Sequence, residues 1–358
     1  MNFDETPFIV IWETTQACDL ACVHCRAKAQ PNASPDQLTT AEGFALIDRI
    51  AAMGTPILVL SGGDPLSRPD LPELIRHGKA RGLRMATIPA ATPRLTAEAV
   101  HTLKAAGLDQ MALSLDASTA EAHDRFRGVP GAFEKTMAAA AWAHKVELPL
   151  QINTVMTAQN IDDIDRLVAL VGQLGIVFWE VFFLVPVGRG VCVTGLTAQQ
   201  YEGVFAKLYA AERSVPFIIK VTEGLHYRRF RVQQAMAQHD ASKSAEPRWG
   251  EHGPGGSIGV APQTVNAGKG HLFISHTGEV FPSGFLPLSA GTIRETDLAR
   301  LYRTAPLFRA LRNPNALKGR CGRCEFRSLC GGSRSRAYAM AGDYLAEDPC
   351  CGYQPVGR

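Results

Sequence analysis

The chain has 358 residues, 46% of them hydrophobic and 20% charged, with a formal net charge of +3. That composition is ordinary for a globular protein with a sizeable core and fits about two domains, or one barrel plus an appendage. So small a charge offers no footing for nucleic acid, and no apolar run approaches the roughly 18 residues of a membrane span. The short acidic start, residues 1–6, is no signal peptide, so a cytoplasmic location is expected.

Residues 8–12 form an apolar run and predict a first strand. Thr39 and Glu42 have capping-box spacing and lead into helical periodicity over 44–50. Residues 57–60 read as a short buried strand, and 71–81 as a helix with Asp70 at its N-cap. A strand at 84–88, a helix at 96–106 and a strand at 111–115 follow. The Ala-rich segment 133–145 reads as a helix, 150–156 as a strand, 161–174 as a helix, 177–185 as a strand and 197–213 as a helix. Six strand–helix units imply a parallel sheet with helices outside, and ligands then gather at the carboxyl ends of the strands.

Residues 227–259 differ in composition. They begin with Tyr227, Arg228, Arg229 and Arg231, and end in a Gly-rich stretch at 249–257 that reads as a loop or linker. Strands at 271–275 and 279–281 flank Thr277-Gly278 and predict a hairpin. A helix is expected over 298–311, followed by a cysteine-rich tail.

The nine cysteines cluster, which argues for metal ligation over disulfides. Cys18-x₃-Cys22-x₂-Cys25 follows the first strand. An iron–sulfur cluster is normally held by four thiolates, so a local set of three suggests a cubane with one iron left open. Zinc prefers four ligands from paired units. In the tail, Cys321-x₂-Cys324-x₅-Cys330, completed by Cys350 or Cys351, can supply four ligands, for iron–sulfur or for zinc. Cys192 stands alone and reads as a small buried hydrophobe.

The three-cysteine run is the signature of the radical S-adenosylmethionine (SAM) enzymes, and the chain resembles that family from about residue 8 to residue 353. The resemblance implies an α/β fold: a partial (β/α)6 TIM-like barrel over 1–220, a bridging segment over 221–258, and a small cysteine-rich α+β domain over 259–358. It implies a [4Fe–4S] cluster on Cys18, Cys22 and Cys25 whose open iron is chelated by SAM. One electron, from a donor such as flavodoxin or ferredoxin, then cleaves SAM to a 5′-deoxyadenosyl radical that takes hydrogen from a substrate. The cofactors carry this chemistry, and no catalytic acid or base is expected.

The Gly62-Gly63-Asp64-Pro65 turn matches the family's segment beside the SAM amino group, with Asp where Glu is more frequent. Ser114 and Arg127 match its carboxylate-binding serine and arginine, an arginine–carboxylate pair being charge-assisted and often bidentate. Asp116 and Asn153, at neighbouring strand ends, are expected to face the same ligand. The segment 186–190 is expected to line the adenine or substrate side. The tail resembles the SPASM or shorter twitch extension that carries auxiliary clusters. Ser283 and Ser333 stand at positions often held by cysteine there, so one auxiliary cluster is expected.

The tail is also similar to radical SAM proteins of haem and haem d₁ biosynthesis, which remodel acidic side chains of a tetrapyrrole, for example by propionate decarboxylation. Arg228, Arg229 and Arg231 could meet such carboxylates, or form a solvated helix face. Maturation of a ribosomally made peptide is the competing reading. Only seven residues precede the first strand, so the leader-binding domain that such enzymes often carry is not expected, which weakens the peptide reading without excluding it. A carrier of fully ligated clusters is a third reading, and the open three-cysteine site counts against it.

Overall fold

The computed structural model describes residues 1–237 and 257–356. All but the last residue of the expected linker at 249–257 therefore lies outside the described residues.

The six expected units are present. They are Ile9–Glu13 (β1) with Thr40–Ala52 (α1), Ile57–Ser61 (β2) with Leu71–Ala80 (α2), and Arg84–Thr87 (β3) with Ala97–Ala105 (α3). Gln110–Ser114 (β4) is followed by two helices, Ala120–Arg127 (α4) and Ala132–Lys145 (α5). Leu150–Met156 (β5) with Ile164–Gln173 (α6) and Phe178–Phe183 (β6) with Ala198–Ala211 (α7) complete the set. A further strand, Ile218–Thr222 (β7), leads into Tyr227–Ala237 (α8). Beyond the undescribed segment come Asn266–Ala267 (β8), Gly270–Ile274 (β9), Val280–Phe281 (β10), Leu298–Thr304 (α9), Pro306–Arg312 (α10), Gly319–Arg323 (α11) and Arg334–Ala341 (α12).

The strands form one sheet in the order β10-β9-β1-β2-β3-β4-β5-β6-β7, with β8 added beside β9. From β9 to β7 every pairing is parallel; β10 alone runs antiparallel, as the expected hairpin partner of β9. This is an α/β parallel half-barrel wrapped by helices. The strand β9 lies in register beside β1, Val10 opposite Leu272 and Trp12 opposite Ile274, so the cysteine-rich region is tied to the barrel by main-chain hydrogen bonds.

Alternation along the strands sorts the two faces. Val10, Trp12, Leu58, Leu60, Met85, Met111, Leu113, Ile152, Trp179 and Val181 pack outward against Leu46, Ile47, Leu74, Leu103 and Leu167 of the helices. Each such side chain, taken fully from water, contributes about 1.5–3 kcal/mol. Residues of the opposite parity face the concave side. There Phe3, Phe8, Ile57, Val59, Ala86 and Ile258 form a separate apolar cluster. Nearer the carboxyl ends the same parity carries Glu13, Ser61, Ser114, Asn153, Glu180 and Lys220. The fold thus gathers the charged groups of this face where the strands open onto the loops, while Gln110 and Gln151 bond to each other nearer the amino ends (2.6 Å).

Local differences from expectation have local causes. Thr39 and Glu42 do form the capping box. Asp70 occupies the N-cap position of α2 without capping it; its carboxylate binds Arg68 (2.6 Å) and Thr40 Oγ1 (2.7 Å) instead. The helix expected over 298–311 is broken at Ala305, because the residue before Pro306 is pushed out of the helical region (φ −60°, ψ 134°). Cys192 is exposed, not buried, since it ends a surface turn over Gly188–Cys192. The arginines of α8 are not a solvated face. Arg229 is buried against Glu202 of α7 and lies over the Tyr353 ring, and Arg231 pairs with Glu212.

Candidate cluster and cofactor sites

The loop after β1 is closed on itself by Cys18 N–H to Gln30 O (2.8 Å) and Gln30 N–H to Gln16 O (3.0 Å). Two outside segments grip it. Val23 N–H donates to Phe126 O at the end of α4 (3.1 Å), and Arg189 donates its main-chain N–H to Cys25 O (3.0 Å) and its Nε–H to Cys22 O (2.9 Å). Cys18, Cys22 and Cys25 share one small cluster with Leu20 and Ala29. The Leu20 and Ala29 amides point at Cys18 Sγ and Cys25 Sγ (3.4 Å each).

Burial pushes the Cys18 thiol up to about 12 and raises Cys22 despite its arginine neighbour. In the free protein these groups are therefore neutral thiols, and loading a metal centre expels their protons. Three thiols on one loop, with amides and a guanidinium supplying positive character, fit a cluster that draws three of its ligands from protein.

The turn after β2 packs directly on this loop. Gly63 N–H donates to Thr15 O and Asp64 N–H to Ala17 O, each at 2.7 Å. A Cβ at Gly63 would sit 2.5 Å from Ala17 O and 2.6 Å from Gln16 O, so glycine is required for the approach. The Asp64 side chain is 0% exposed and accepts from Thr92 Oγ1 (2.7 Å), Leu66 N–H (3.1 Å) and Ala90 N–H (3.2 Å). Burial raises its pKa. Its acceptors are spent on the protein, which fixes the turn, and Pro65 opens a short 3₁₀ turn behind it.

Asp116 and Arg127 form a buried ion pair, their side chains 0% and 11% exposed. Asp116 Oδ1 also accepts from Val155 N–H (2.8 Å), and Arg127 Nη1 reaches Cys22 Sγ at 3.9 Å. Burial opposes ionisation at both, and their mutual attraction outweighs it: Asp116 stays below the usual carboxylate range and Arg127 above its own. The Asp116 N–H donates to His123 Nδ1 (3.1 Å), which makes His123 a neutral acceptor. Helix α4, which carries Arg127, was not expected from the sequence; Thr119 as N-cap and Gly128 in the left-handed region (φ 72°) were its signals.

Ser114 and Asn153 stand opposite each other in the sheet, and the same rung continues through Glu180 to Lys220. Asn153 Oδ1 accepts from Gln151 Nε2 (2.7 Å), which also donates to Glu180 (3.0 Å). Lys220 and Thr222 donate to the other Glu180 oxygen, each at 2.6 Å. Burial would raise Glu180, but Lys220 holds it lowered. Arg26, next to Cys25, pairs with Glu13 (2.7 Å) and lies 4.6 Å over the Phe273 ring; His276 holds the second Glu13 oxygen (3.0 Å). Phe182 and Phe285 meet at 6.2 Å between the last parallel strands and the cysteine-rich region. Sequence reasoning missed these lining groups. Their signal was a charged residue at the concave parity of otherwise apolar strands, as at Glu13 and Glu180.

In the tail, Cys321, Cys324, Cys330 and Cys351 line one pocket together with His226 and Asp348. Cys350 does not; its thiol faces Leu196 O at 3.9 Å in the packing of the barrel helices. Gly332 N–H points at Cys330 Sγ (3.4 Å), and Asp348 N–H (3.3 Å) and Arg334 Nη2 (3.7 Å) point at Cys321 Sγ. Burial pushes Cys330 up to about 12. His226 is 1% exposed and neither ring nitrogen has a hydrogen-bond partner. Its Nδ1 faces Asp348 Oδ2 at 3.8 Å, beyond hydrogen-bond reach, and the four thiols beside it are a donor set that fits a cluster. Among the described residues no three Cys, His, Asp or Glu side chains converge closely enough for a single metal ion.

The pocket wall is braced by the buried Arg336–Asp348 pair (2.8 Å). Ser333 caps α12 by accepting from Arg336 N–H (2.9 Å) and donates to the buried Glu223, whose second oxygen takes Ser335 Oγ (2.9 Å). Ser283 accepts from Phe285 N–H (3.2 Å). Both serines thus serve the chain's own turns.

A parallel half-barrel whose first loop carries three thiols against a Gly-Gly turn defines the radical SAM class of enzyme. The chain belongs to the radical SAM superfamily, whose profile matches residues 12–171. Membership implies a [4Fe–4S] cluster and SAM. Over 98% of its length the chain is 41% identical to an AdoMet-dependent heme synthase of Methanosarcina barkeri (strain Fusaro / DSM 804), covering 97% of that protein. It is 31% identical to a PqqA peptide cyclase of Ruegeria pomeroyi (strain ATCC 700808 / DSM 15171 / DSS-3), over 98% of this chain and 88% of that one. Among solved structures it resembles Streptococcus suis SuiB bound to S-adenosylmethionine, with a TM-score of 0.71 at 16% identity, over 98% of this chain and 78% of that one. That last likeness shows the fold. No helix among the described residues is long and apolar enough to cross a membrane.

Proposed function

We propose that this enzyme removes propionate carboxyl groups from a tetrapyrrole by radical SAM chemistry. The observation that carries the reading is the end-to-end likeness to a heme synthase, at 41% identity. The concave side supports it. Phe182, Phe273 and Phe285 offer flat apolar surface for a ring system, and Arg26 and Lys220, paired with Glu13 and Glu180, stand at its polar edge.

Cys18, Cys22 and Cys25 would hold the SAM-binding [4Fe–4S] cluster, and Cys321, Cys324, Cys330 and Cys351 one auxiliary cluster. The first centre with SAM supplies a 5′-deoxyadenosyl radical once a one-electron donor such as flavodoxin or ferredoxin has reduced it. The Gly62–Pro65 turn, with Ser114, Asn153 and Arg127, would shape the SAM site. Arg127 does so from behind Cys22, held there by Asp116. Conversion of a propionate to a vinyl group gives up one hydrogen atom, carbon dioxide and one electron. The adenosyl radical would take the hydrogen, and an auxiliary cluster held by Cys321, Cys324, Cys330 and Cys351 would supply an acceptor for the electron.

The test is anaerobic reconstitution with SAM, dithionite and candidate tetrapyrroles, followed by mass spectrometry. The expected product has lost carbon dioxide and two hydrogens per propionate converted. If 5′-deoxyadenosine forms while no tetrapyrrole is bound by Soret absorbance or altered, the tetrapyrrole reading falls. Modification of a precursor peptide would then establish the maturase alternative.

A further inference from the structure

The Cys330–Gly331 turn borders two recesses. One is the four-thiol pocket. The other is lined by Arg228, Lys269, Arg312, Arg327 and Arg334, with polar groups from Asn266 and Ser328, and among the described residues no Asp or Glu lines it. Two of these five cations are accounted for. Arg334 is spent on the carbonyls of Gly332, Tyr344 and Ala346, and Arg312 on the carbonyls of Tyr302 and Arg303 and on the exposed Asp4 (3.2 Å).

The other three make no salt bridge among the described residues, and the one carboxylate that acts on any of them, Asp4 on Lys269, is already paired with Arg312. Arg228 donates only to the carbonyls of Val265 (2.6 Å) and Leu329 (3.4 Å). The guanidinium of Arg327 and the ammonium of Lys269 have no hydrogen-bond or ion-pair partner there. Burial and the Arg228 charge together push Lys269 below its ordinary value, so these two cations repel. Elsewhere on α8 the neighbouring arginines have acids: Glu202 for Arg229 and Glu212 for Arg231.

Like charges gathered in a partly buried recess without a counter-ion are costly. An anion that accepts from all three relieves the cost, and guanidinium forks suit the oxygens of carboxylate or phosphate. We propose that the recess formed by Arg228, Lys269 and Arg327 beside Cys330 binds a small multivalent oxyanion. The cations lie in a recess, so the occupant is a small group rather than the face of another protein. Carboxylates and phosphates share the required chemistry. Two sources can supply it: carboxylates of a bound substrate, or a free small anion.

The test uses the reconstituted full chain, with citrate and inorganic phosphate as probes, titrated calorimetrically against sodium chloride of equal ionic strength. The expected result is one saturable site, weakened about tenfold or more in Arg327→Gln and in Lys269→Gln, as loss of a charge-assisted bond predicts. Both side chains are partly exposed and outside the packed core, so the variants are expected to fold; far-ultraviolet circular dichroism checks this. Citrate binding should also make the auxiliary centre harder to reduce, a negative shift readable by electron paramagnetic resonance. Heats that match sodium chloride, or equal citrate affinity in wild type and both variants, would overturn the proposal. Competition between citrate and a tetrapyrrole would identify substrate carboxylates as the occupant. Simultaneous binding would identify a free anion. The site does not rest on the tetrapyrrole reading: a protein that binds citrate here and ignores tetrapyrroles keeps the site and loses that reading.

Discussion

Cys350 and Cys351 are adjacent in sequence, yet their thiols serve different compartments. The Cys351 thiol lines the pocket of Cys321, Cys324 and Cys330, while that of Cys350 packs toward Leu196 O on the barrel side. Asp348 fixes this division, since its Oδ1 accepts from Cys350 N–H (3.1 Å) and its main-chain carbonyl from Cys351 N–H (3.2 Å).

Cys351→Ala should therefore lose the auxiliary centre, about four irons' worth, and keep SAM cleavage at least in part. Cys350→Ala should keep both centres and lose only about 1 kcal/mol of stability as a small packing defect. Iron analysis with electron paramagnetic resonance separates the two. Equal iron loss in both variants would contradict the assignment of the fourth ligand.

Gly188 is the tightest part of the grip on the first cysteine loop. It sits at φ 60°, and a Cβ there would lie 2.3 Å from Arg26 O and 2.5 Å from Cys25 O. Both obstacles are backbone, so relief means moving the loop itself. In Gly188→Ala the left-handed strain alone costs about 1–2 kcal/mol. Reconstitution of the first cluster should fall several-fold while the auxiliary cluster remains. The readout is the cubane resonance that responds to added SAM. An unchanged SAM-responsive signal would show that the loop tolerates the displacement.

How much of this was legible in the sequence depended on range. Cys18, Cys22, Cys25 and the Gly62–Pro65 turn are short motifs after apolar runs, and both could be read with their strand context. The hairpin at Thr277-Gly278 was equally local. Its docking beside β1, more than two hundred residues away, had no local signal, because parallel pairing is set by the packing of whole elements. Arg228, Arg229 and Arg231 show the same limit. Only the fold reveals that Glu202 and Glu212 take two of them and leave the third without an acid among the described residues. Adjacent cysteines at 350 and 351 could not be separated by spacing at all.

Asp116 and Arg127 give a prediction about stability that is separate from catalysis. The pair is sealed, so removing one partner leaves an uncompensated buried charge, at a cost of about 3–5 kcal/mol. Arg127→Met and Asp116→Asn should each destabilise the metal-free protein by that order, read as a lower denaturant midpoint at unchanged m. The double variant should cost clearly less than the sum of the two. Strict additivity would show that the two side chains are not coupled. In the reconstituted enzyme, Arg127→Met should also alter the spectrum of the first cluster, since the guanidinium stands 3.9 Å from Cys22 Sγ.

His123 supplies a pH test. Its ring is 0% exposed and its Nδ1 accepts the Asp116 N–H, so protonation must break that bond. Burial, opposed by Asp116, depresses its pKa to about 4. The folded pKa lies below the unfolded value of about 6.5, so the unfolded chain takes up the proton first as pH falls. The contribution of His123 is thus fully present above pH of about 6.5 and is lost progressively down to about 4, at about 1.4 kcal/mol per unit of difference. The buried His226 and the half-buried His24 and His271 act in the same direction. Urea unfolding of the metal-free protein should show stability falling through this window. In His123→Asn, which keeps an acceptor and does not titrate, the fall should be shallower by about 3 kcal/mol at pH of about 4. A parallel pair of curves for wild type and variant would mean that His123 takes up its proton at the same pH folded as unfolded, and that the Asp116 N–H does not hold its Nδ1 as an acceptor.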